Sequence, residues 1–517
     1  MSEREELERD DHWQRLDPRM MLVQPVRELV RFLPVLVGLL VARTAADGGG
    51  DRRWQLLAVA VPVALGLLRY LTTRFRITAG RIELRRGLLN RHVLATPLDR
   101  VRTIDLTATP THRLLGLTTV RIGTGTASTD EHDALALDGL PLARARRLRE
   151  ALLRVVPADT PSADSPDPDS ADPGTITDAA GTPDHVVMRL DPSWVRFAPL
   201  TSSGVVLAAG VLGVGSQLFD SLGWPAVLRP GRLATGAAGL GWWVGVPLAV
   251  LALAVVVSVL AVGGYVVANW GFTLTRAPRS WHLTRGLLTT RETSLDHERV
   301  GGVSLAQPLG LRLAGGARLH AIVTGLGGQP ARSVLVPPAP LGVVEAAARE
   351  VLGHAGPVDV PLTGHGPRAR TRRWTRALVP AVAASAVLVL LVALSAAPPW
   401  LLVPAVLLPP AAAALAADRV RGLGHALADA HLVASSGSLD RRREMLATGS
   451  VIGWTVRATW FQRRAGLASL VATTAGGRQR VTVPDLPETV AVALARRATP
   501  GLLDPFTSAN PATRMGP

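Results

Sequence analysis

The chain has 517 residues, a net charge of +16, 48% hydrophobic and 19% charged residues, a balance that excludes disorder along its whole length. It holds no cysteine, which excludes disulfide scaffolds, thiolate metal sites and cysteine nucleophiles. All 56 basic residues are arginine, so the positive charge is fixed at physiological pH and points to nucleic acid or an anionic membrane.

Residues 1–25 are polar and acidic, without the apolar core of a cleaved signal, and are expected to be a cytoplasmic segment. Residues 26–72 carry two short apolar runs, 32–42 and 54–68, whose flanking arginines can reach the headgroups. They are assigned as a first transmembrane hairpin, with a buried or interfacial hairpin as the alternative. A soluble domain follows over 73–155. Residues 156–185 are rich in aspartate and proline and contain no arginine, so they read as a flexible linker. A second hairpin is placed at 186–268, because 197–219 and 233–275 carry no charged residue for longer than a bilayer requires. Residues 269–353 form a second domain and 354–373 a linker. The charge-free run 377–417 is split at Pro398-Pro399-Trp400 into a third hairpin, assigned to 374–417. A third domain spans 418–498, and 499–517 is a flexible tail.

Arginine crowds one side of these hairpins. Arg15, Arg19, Arg27 and Arg31 precede the first span, Arg69 to Arg86 follow the second, and Arg368 to Arg376 crowd the entry to the fifth. The hairpin turns are poor in uncompensated arginine. The positive-inside rule then predicts a multi-pass protein of the bacterial cytoplasmic membrane, with six spans and both termini in the cytoplasm.

The three soluble domains are copies of one another. An offset of 350 lays Gly87, Arg91, Val101, Thr109, Arg113, Gly116 and Thr124 on Gly437, Arg441, Val451, Thr459, Arg463, Gly466 and Thr474. An offset of 199 lays Gly87-Leu88-Leu89, Arg100-Val101, Arg113 and Gly116 on Gly286-Leu287-Leu288, Arg299-Val300, Arg312 and Gly315. Each copy closes on a proline that marks a helix start: Pro141, Pro340 and Pro487. Within the first copy, 82–84 and 91–94 flank the Gly87 turn as a hairpin, and 101–106 and 118–122 alternate as strands. Leu142, Ala145, Leu148, Leu152 and Val155 make one helical stripe. The fold class is membrane α plus β: three repeats of a transmembrane hairpin and a small β barrel or sandwich capped by a C-terminal helix.

The order Phe75-Arg-Ile-Thr78, Gly87-Leu-Leu89, Arg100-Val101, Arg113-Leu-Leu-Gly-Leu117 and Thr124-Gly125, repeated after paired spans, resembles the bacterial pleckstrin-homology-like (bPH2) membrane proteins of the YdbS/YdbT type. The three copies resemble its YdbT-type members. The resemblance implies a pleckstrin-homology-like (PH-like) fold of two bent sheets closed by a helix. It implies no enzymatic activity, and its suggested biology is envelope stress or tolerance of antimicrobial compounds.

No catalytic constellation is visible, and no cofactor or metal is expected. His425 and His431 lack a third ligand, Asp130-Glu-His-Asp133 reads as a polar loop, and Gly123-Thr-Gly125 lacks the lysine of a phosphate loop. The hairpin arginines Arg85, Arg86, Arg91, Arg441, Arg442 and Arg443 are candidate contacts for anionic lipid, each worth about 1 kcal/mol near a charged leaflet; the plainer reading is topology and solvation. The glycines and arginines shared by the copies are candidate structural positions. Nucleic acid is disfavoured, since only 4% of residues are aromatic and stacking platforms are lacking. The reading is a non-enzymatic protein- or lipid-binding or assembly platform. Its expected partners are the anionic membrane, other copies of itself or a smaller bPH2 relative. A transporter or channel with regulatory PH-like domains is the alternative, opposed by spans without ionisable groups.

Overall fold

The structure is a computed structural model, and it describes residues 13–28, 32, 52–78, 81–86, 92–97, 103–123, 135–154, 185–201, 242–323 and 333–502. The chain divides into two compact units, 1–297 and 298–517.

In the first unit β1 (Gln14–Arg15) leads into a helix over 20–28. There follow α1 (Arg52–Thr72), β2 (Arg74–Thr78), β3 (Arg81–Arg86), β4 (His92–Pro97) and β5 (Thr103–Ala108). The first copy is completed by α2 (Pro110–Leu114), β6 (Leu117–Gly123), β7 (Leu135–Pro141) and α3 (Leu142–Arg154). Then come β8 (His185–Arg189), a 3-10 helix (Pro192–Leu200), α4 (Trp242–Asn269), β9 (Thr273–Arg276), β10 (Ser280–Arg285) and β11 (Thr290–Asp296). One antiparallel sheet runs β1-β2-β3-β4 and a second β7-β6-β5-β11-β10-β9-β8.

The core of the first copy follows from strand alternation. Phe75, Ile82 and Leu84 of the first sheet meet Ile104, Leu106, Val120, Ile122 and Leu137 of the second, and Ala145 and Leu148 of α3 close the end. Each such side chain contributes roughly 1.5–3 kcal/mol by leaving water. Leu16, Met20 and Val23 enter the same core. Met20 and Val23 share one face of the helix over 20–28 and Leu16 precedes it, so residues of the segment read as N-terminal and cytoplasmic pack into the domain core.

The second unit contains β12 (Val300–Pro308), α5 (Leu309–Leu313), β13 (Gly316–Val323), β14 (Val334–Pro340) and α6 (Leu341–Leu352). It continues with α7 (Gly356–Asp359), α8 (Gly366–Ala393), α9 (Leu402–Arg421), β15 (Gly424–Ala428), β16 (His431–Ser436) and β17 (Asp440–Ala447). It ends with β18 (Gly453–Arg457), α10 (Trp460–Arg464), β19 (Leu467–Thr473), β20 (Arg480–Pro487) and α11 (Glu488–Ala498). Its sheets run β14-β13-β12-β17-β16-β15 and β18-β19-β20. Leu432 and Leu446 meet Leu470, Val483, Leu486 and Leu494 in the core of the third copy.

The offsets read from the sequence carry elements onto elements. An offset of 199 takes β3, α2 and β7 onto β10, α5 and β14, and 350 takes β2, β3, α2 and β6 onto β15, β16, α10 and β19. The closing helices begin one residue after Pro141, Pro340 and Pro487, so each proline ends a strand rather than occupying the first turn. The sequence did not reveal how the copies join. The second sheet of one copy continues into the first sheet of the next, β5 on β11 and β12 on β17. Both joints have one register: Ile104 faces Ser294, and its equivalent Val303 faces Met445, the equivalent of Ser294.

Two further segments differ from their sequence reading. Residues 354–373 are ordered, not a flexible linker: α7 buries Pro357 and Val358, Thr363 pairs with His425, and α8 begins at Gly366. Glycine and proline serve there as helix ends, a use that composition cannot distinguish from looseness. Within the stretch assigned to the second hairpin, β8 pairs with β9, and Trp194, Phe197 and Ala198 are buried in a 3-10 helix packed on α4. A lack of charge there marks a buried element before it can mark a span.

Among the described residues, three helices are long and apolar enough to cross a membrane: Val250–Asn269, Gly366–Ala393 and Pro399–Arg421. The turn between the last two is closed by Ser395 at φ 54° and a hydrogen bond from the Ala396 amide to the Leu391 carbonyl. Residues 33–42 and 202–219, read as parts of the first and third spans, lie outside the described residues, as does the acidic stretch 156–184.

Candidate functional site

The arginine-flanked hairpin turns need glycine. Gly286 and Gly437 have φ of 112° and 101°, and a Cβ would meet the carbonyl oxygen of Thr289 at 2.0 Å or of Asp440 at 2.2 Å. Beside the last turn, the Arg441 Nη2 donates to Asp418 Oδ1 at 2.8 Å, and Arg442 donates twice to Asp440 Oδ2 at 2.9 and 2.7 Å. Arg443 donates to the carbonyls of Pro357 and Val360 at 3.1 and 2.9 Å. Burial pulls Arg441 and Arg443 below the usual arginine value, opposed by the charge of Asp418 at Arg441 and by those of Glu345 and Asp359 at Arg443. Arg441 and Arg443 thus tie the hairpin to α9 and α7, while Arg442 closes on Asp440 within its own strand. In the first copy Arg85 stacks 3.8 Å over the Trp13 ring. The Arg86 side chain, Gly87, Arg91, Arg100-Val101, Thr124-Gly125 and 130–133 lie outside the described residues.

The arginine shared by the copies sits on three short helices, as Arg113 on α2, Arg312 on α5 and Arg463 on α10. Thr109 caps α2 and Thr459 caps α10, and the chain leaves through Gly116, Gly315 and Gly466 at φ of 69°, 71° and 63°. Arg113 donates to the Leu287 carbonyl at 2.5 Å, and Arg312 to the Ser438 carbonyl at 3.1 Å. Leu287 and Ser438 are equivalent turn residues of the following copy. This arginine is therefore a clasp from one copy to the next. The sequence located it, but its acceptor is a backbone atom in another repeat and leaves no pattern. Arg463, the equivalent in the third copy, is exposed, and its side chain makes no hydrogen bond or ion pair among the described residues.

Ion pairs reinforce the joints. Arg146 and Arg149 of α3 pair with Glu292 of β11 at 3.2 and 3.1 Å. In the second joint the signs are exchanged, Glu345 of α6 attracting Arg443 of β17. Arg312 also donates to Asp418 Oδ2 at 2.9 Å. Arg312→Ala is expected to cost about 1–2 kcal/mol and Arg463→Ala under about 0.5 kcal/mol, read by thermal melting of the detergent-solubilised chain. Equal losses would sink the clasp.

At the base of α8, the buried carboxylate of Asp485 accepts from Arg372, from Arg373 at 3.1 Å and from Gln462 at 2.9 Å. In the first copy Arg27, on the helix over 20–28, pairs with Asp138 of β7 at 3.1 Å. Arginines counted from the sequence as topology signals thus also bind the helices to the domains. His365 lies 5.0 Å from His425 and donates through Nδ1 to the Pro484 carbonyl at 2.8 Å. Burial, reinforced by His425, pulls its pKa down to about 4. His431 donates to the Asp429 carbonyl at 2.7 Å and lies 5.3 Å from His354. Among the described residues no group of three or more His, Asp or Glu could share a metal ion.

A family model described as the bacterial PH domain matches residues 29–156, 226–354 and 376–500. Each match begins ahead of β2, β9 or β15 and runs past the closing helix, α3, α6 or α11. No curated protein and no solved structure matches the chain. With most of its length matched in three stretches, the chain belongs to the bacterial PH domain family and carries that domain three times.

Proposed function

We propose that the chain is a six-span protein of the bacterial cytoplasmic membrane whose PH-like domains form a non-enzymatic assembly platform on the cytoplasmic face. The observation that carries this reading is the edge-to-edge joining of strands from consecutive copies, β5 on β11 in the first unit and β12 on β17 in the second, in a chain that also carries apolar helices long enough to cross a membrane. Its partners are anionic phospholipid, further copies of the chain or a smaller bPH2 relative. Lipid contact falls to the first copy, at Arg85, Arg86 and Arg91, because Arg441, Arg442 and Arg443 have acceptors in their own fold. The fixed charge of +16 favours the anionic leaflet.

Reporter fusions at Asp47, Asp169, Gly231 and Pro517 are expected to read out, in, out and in. Crosslinking in native membranes is expected to capture protein partners. Arg85/Arg86/Arg91→Ala should weaken capture of photoactivatable phosphatidylglycerol. A cytoplasmic reading at Asp47 or Gly231 would sink the topology. Absence of any protein partner, with lipid capture unchanged in the triple variant, would sink the platform. Solute flux in proteoliposomes, abolished by substitutions at Pro380 or Pro409, would establish a transporter instead.

A further inference from the structure

The two internal joints use one strand of each kind and leave one of each kind over. In the first-copy frame, the third strand of the first sheet pairs with the first strand of the second sheet of the preceding copy. At the joints these are β11 on β5 and β17 on β12. Among the described residues, β4 of the first copy pairs with β3 alone. Among the described residues, β18 of the third copy pairs with β19 alone. Such edges offer unused backbone donors and acceptors.

Their side chains differ from those at the joints as a missing neighbour requires. Leu106 and Leu305 are 2% and 4% exposed, whereas their equivalent on β18, Val456, is 44% exposed. Ser294 and Met445 are buried, whereas Ala95, at the same place on β4, is exposed. Val93 on β4 is 54% exposed. Arg463, the third clasp arginine, lacks the turn carbonyl that Arg113 and Arg312 find.

We propose that β18 of one molecule pairs antiparallel with β4 of a second copy of this chain, repeating the internal joint head to tail. This rests on the assembly reading above and names its surface. The shared register places Val456 opposite Val93 and Gly453 opposite Thr96. The fifth residue of each closing helix faces the strand position of Val93 in the next copy. It is Arg146 against Glu292, then Glu345 against Arg443, and Val492 against Val93. Two joints are matched by charge and the terminal one by apolar contact. Setting β18 on β11 or β17 would instead place Glu292 or Arg443 beside Val492 without a partner. The interface is heterologous, so each added molecule presents the same free edge again.

The chain has no cysteine, so every thiol in the test is introduced. Opposed residues of an antiparallel pair lie about 4.5–5.5 Å apart at Cα, within disulfide range. Two differently tagged full-length chains, Val93→Cys and Val456→Cys, are co-expressed and oxidised in native membranes. A reducible heterodimer is expected, at least tenfold above that from either variant alone or from Val93→Cys with Leu439→Cys on an exposed turn. Both cysteines in one chain should give a ladder of multimers. Val93→Lys, at an exposed site that leaves the monomer core intact, should lower co-purification of the two tags at least tenfold, and Arg463→Ala should lower it measurably. Tags that co-purify without the Val93–Val456 crosslink would overturn this pairing while leaving assembly standing; tags that never co-purify would overturn self-assembly as well. A crosslink confined to single chains of the double variant, or capture of Val93→Cys by a smaller protein in place of Val456→Cys, would also overturn it.

Discussion

Asp485→Ala is expected to destabilise the third copy by about 3–5 kcal/mol, the cost of leaving buried cations without their counter-charge. The side chain of Asp485 is 4% exposed, and those of Arg372 and Arg373 are 15% and 12% exposed, so water does little to screen the loss. The Gln462 amide loses an acceptor at the same time. Backbone strain adds to the cost, because Asp485 sits at φ 61°, where aspartate and asparagine are tolerated better than alanine. Asp485→Asn keeps the backbone preference and one acceptor, and separates charge from conformation; it is expected to lose about half as much. Arg372→Ala leaves the Arg373 pair and should cost least. Thermal melting of the solubilised full chain, with limited proteolysis reporting release of the third copy, measures all three. A loss below about 1 kcal/mol for Asp485→Ala would show that the cluster is solvated and not an anchor.

What could be read from the sequence was whatever depends on residues near one another in the chain. Alternation at 101–106 and 118–122 located β5 and β6, and the glycine turns located the hairpins. The repeat offsets then carried those elements to all three copies with little slippage. Alternation, however, states which face of a strand is buried and not which strand lies beside it. The joints β5 on β11 and β12 on β17 were invisible for that reason, and the role of Arg113 and Arg312 with them. Arginines near apolar helices were read as topology signals. Arg27, Arg372 and Arg373 carry a second role that depends on Asp138 and Asp485, more than a hundred residues away. Composition misled at 354–373, where glycine and proline end helices inside an ordered connection.

Acid should weaken the same end of the molecule before any general titration of carboxylates. His365 is neutral in the fold, since burial and the neighbouring His425 ring pull its pKa down from 6.5 to about 4. Burial pulls His425 down as well. Arg373 lies near and opposes protonation, while Asp485 favours it. Between about pH 6.5 and pH 4 the unfolded chain takes up a proton at this position and the folded chain does not. Stability is therefore full above the upper limit and falls as the pH drops through the window. The loss from His365 is on the order of 3 kcal/mol. His365→Gln removes the titration and keeps a donor for the Pro484 carbonyl, so it should lower stability modestly at pH 7 and flatten the decline towards pH 4. Melting temperatures at half-unit pH steps for both proteins give the comparison. Parallel curves would mean that His365 is protonated in the folded state at no cost, and that the paired rings are open to water.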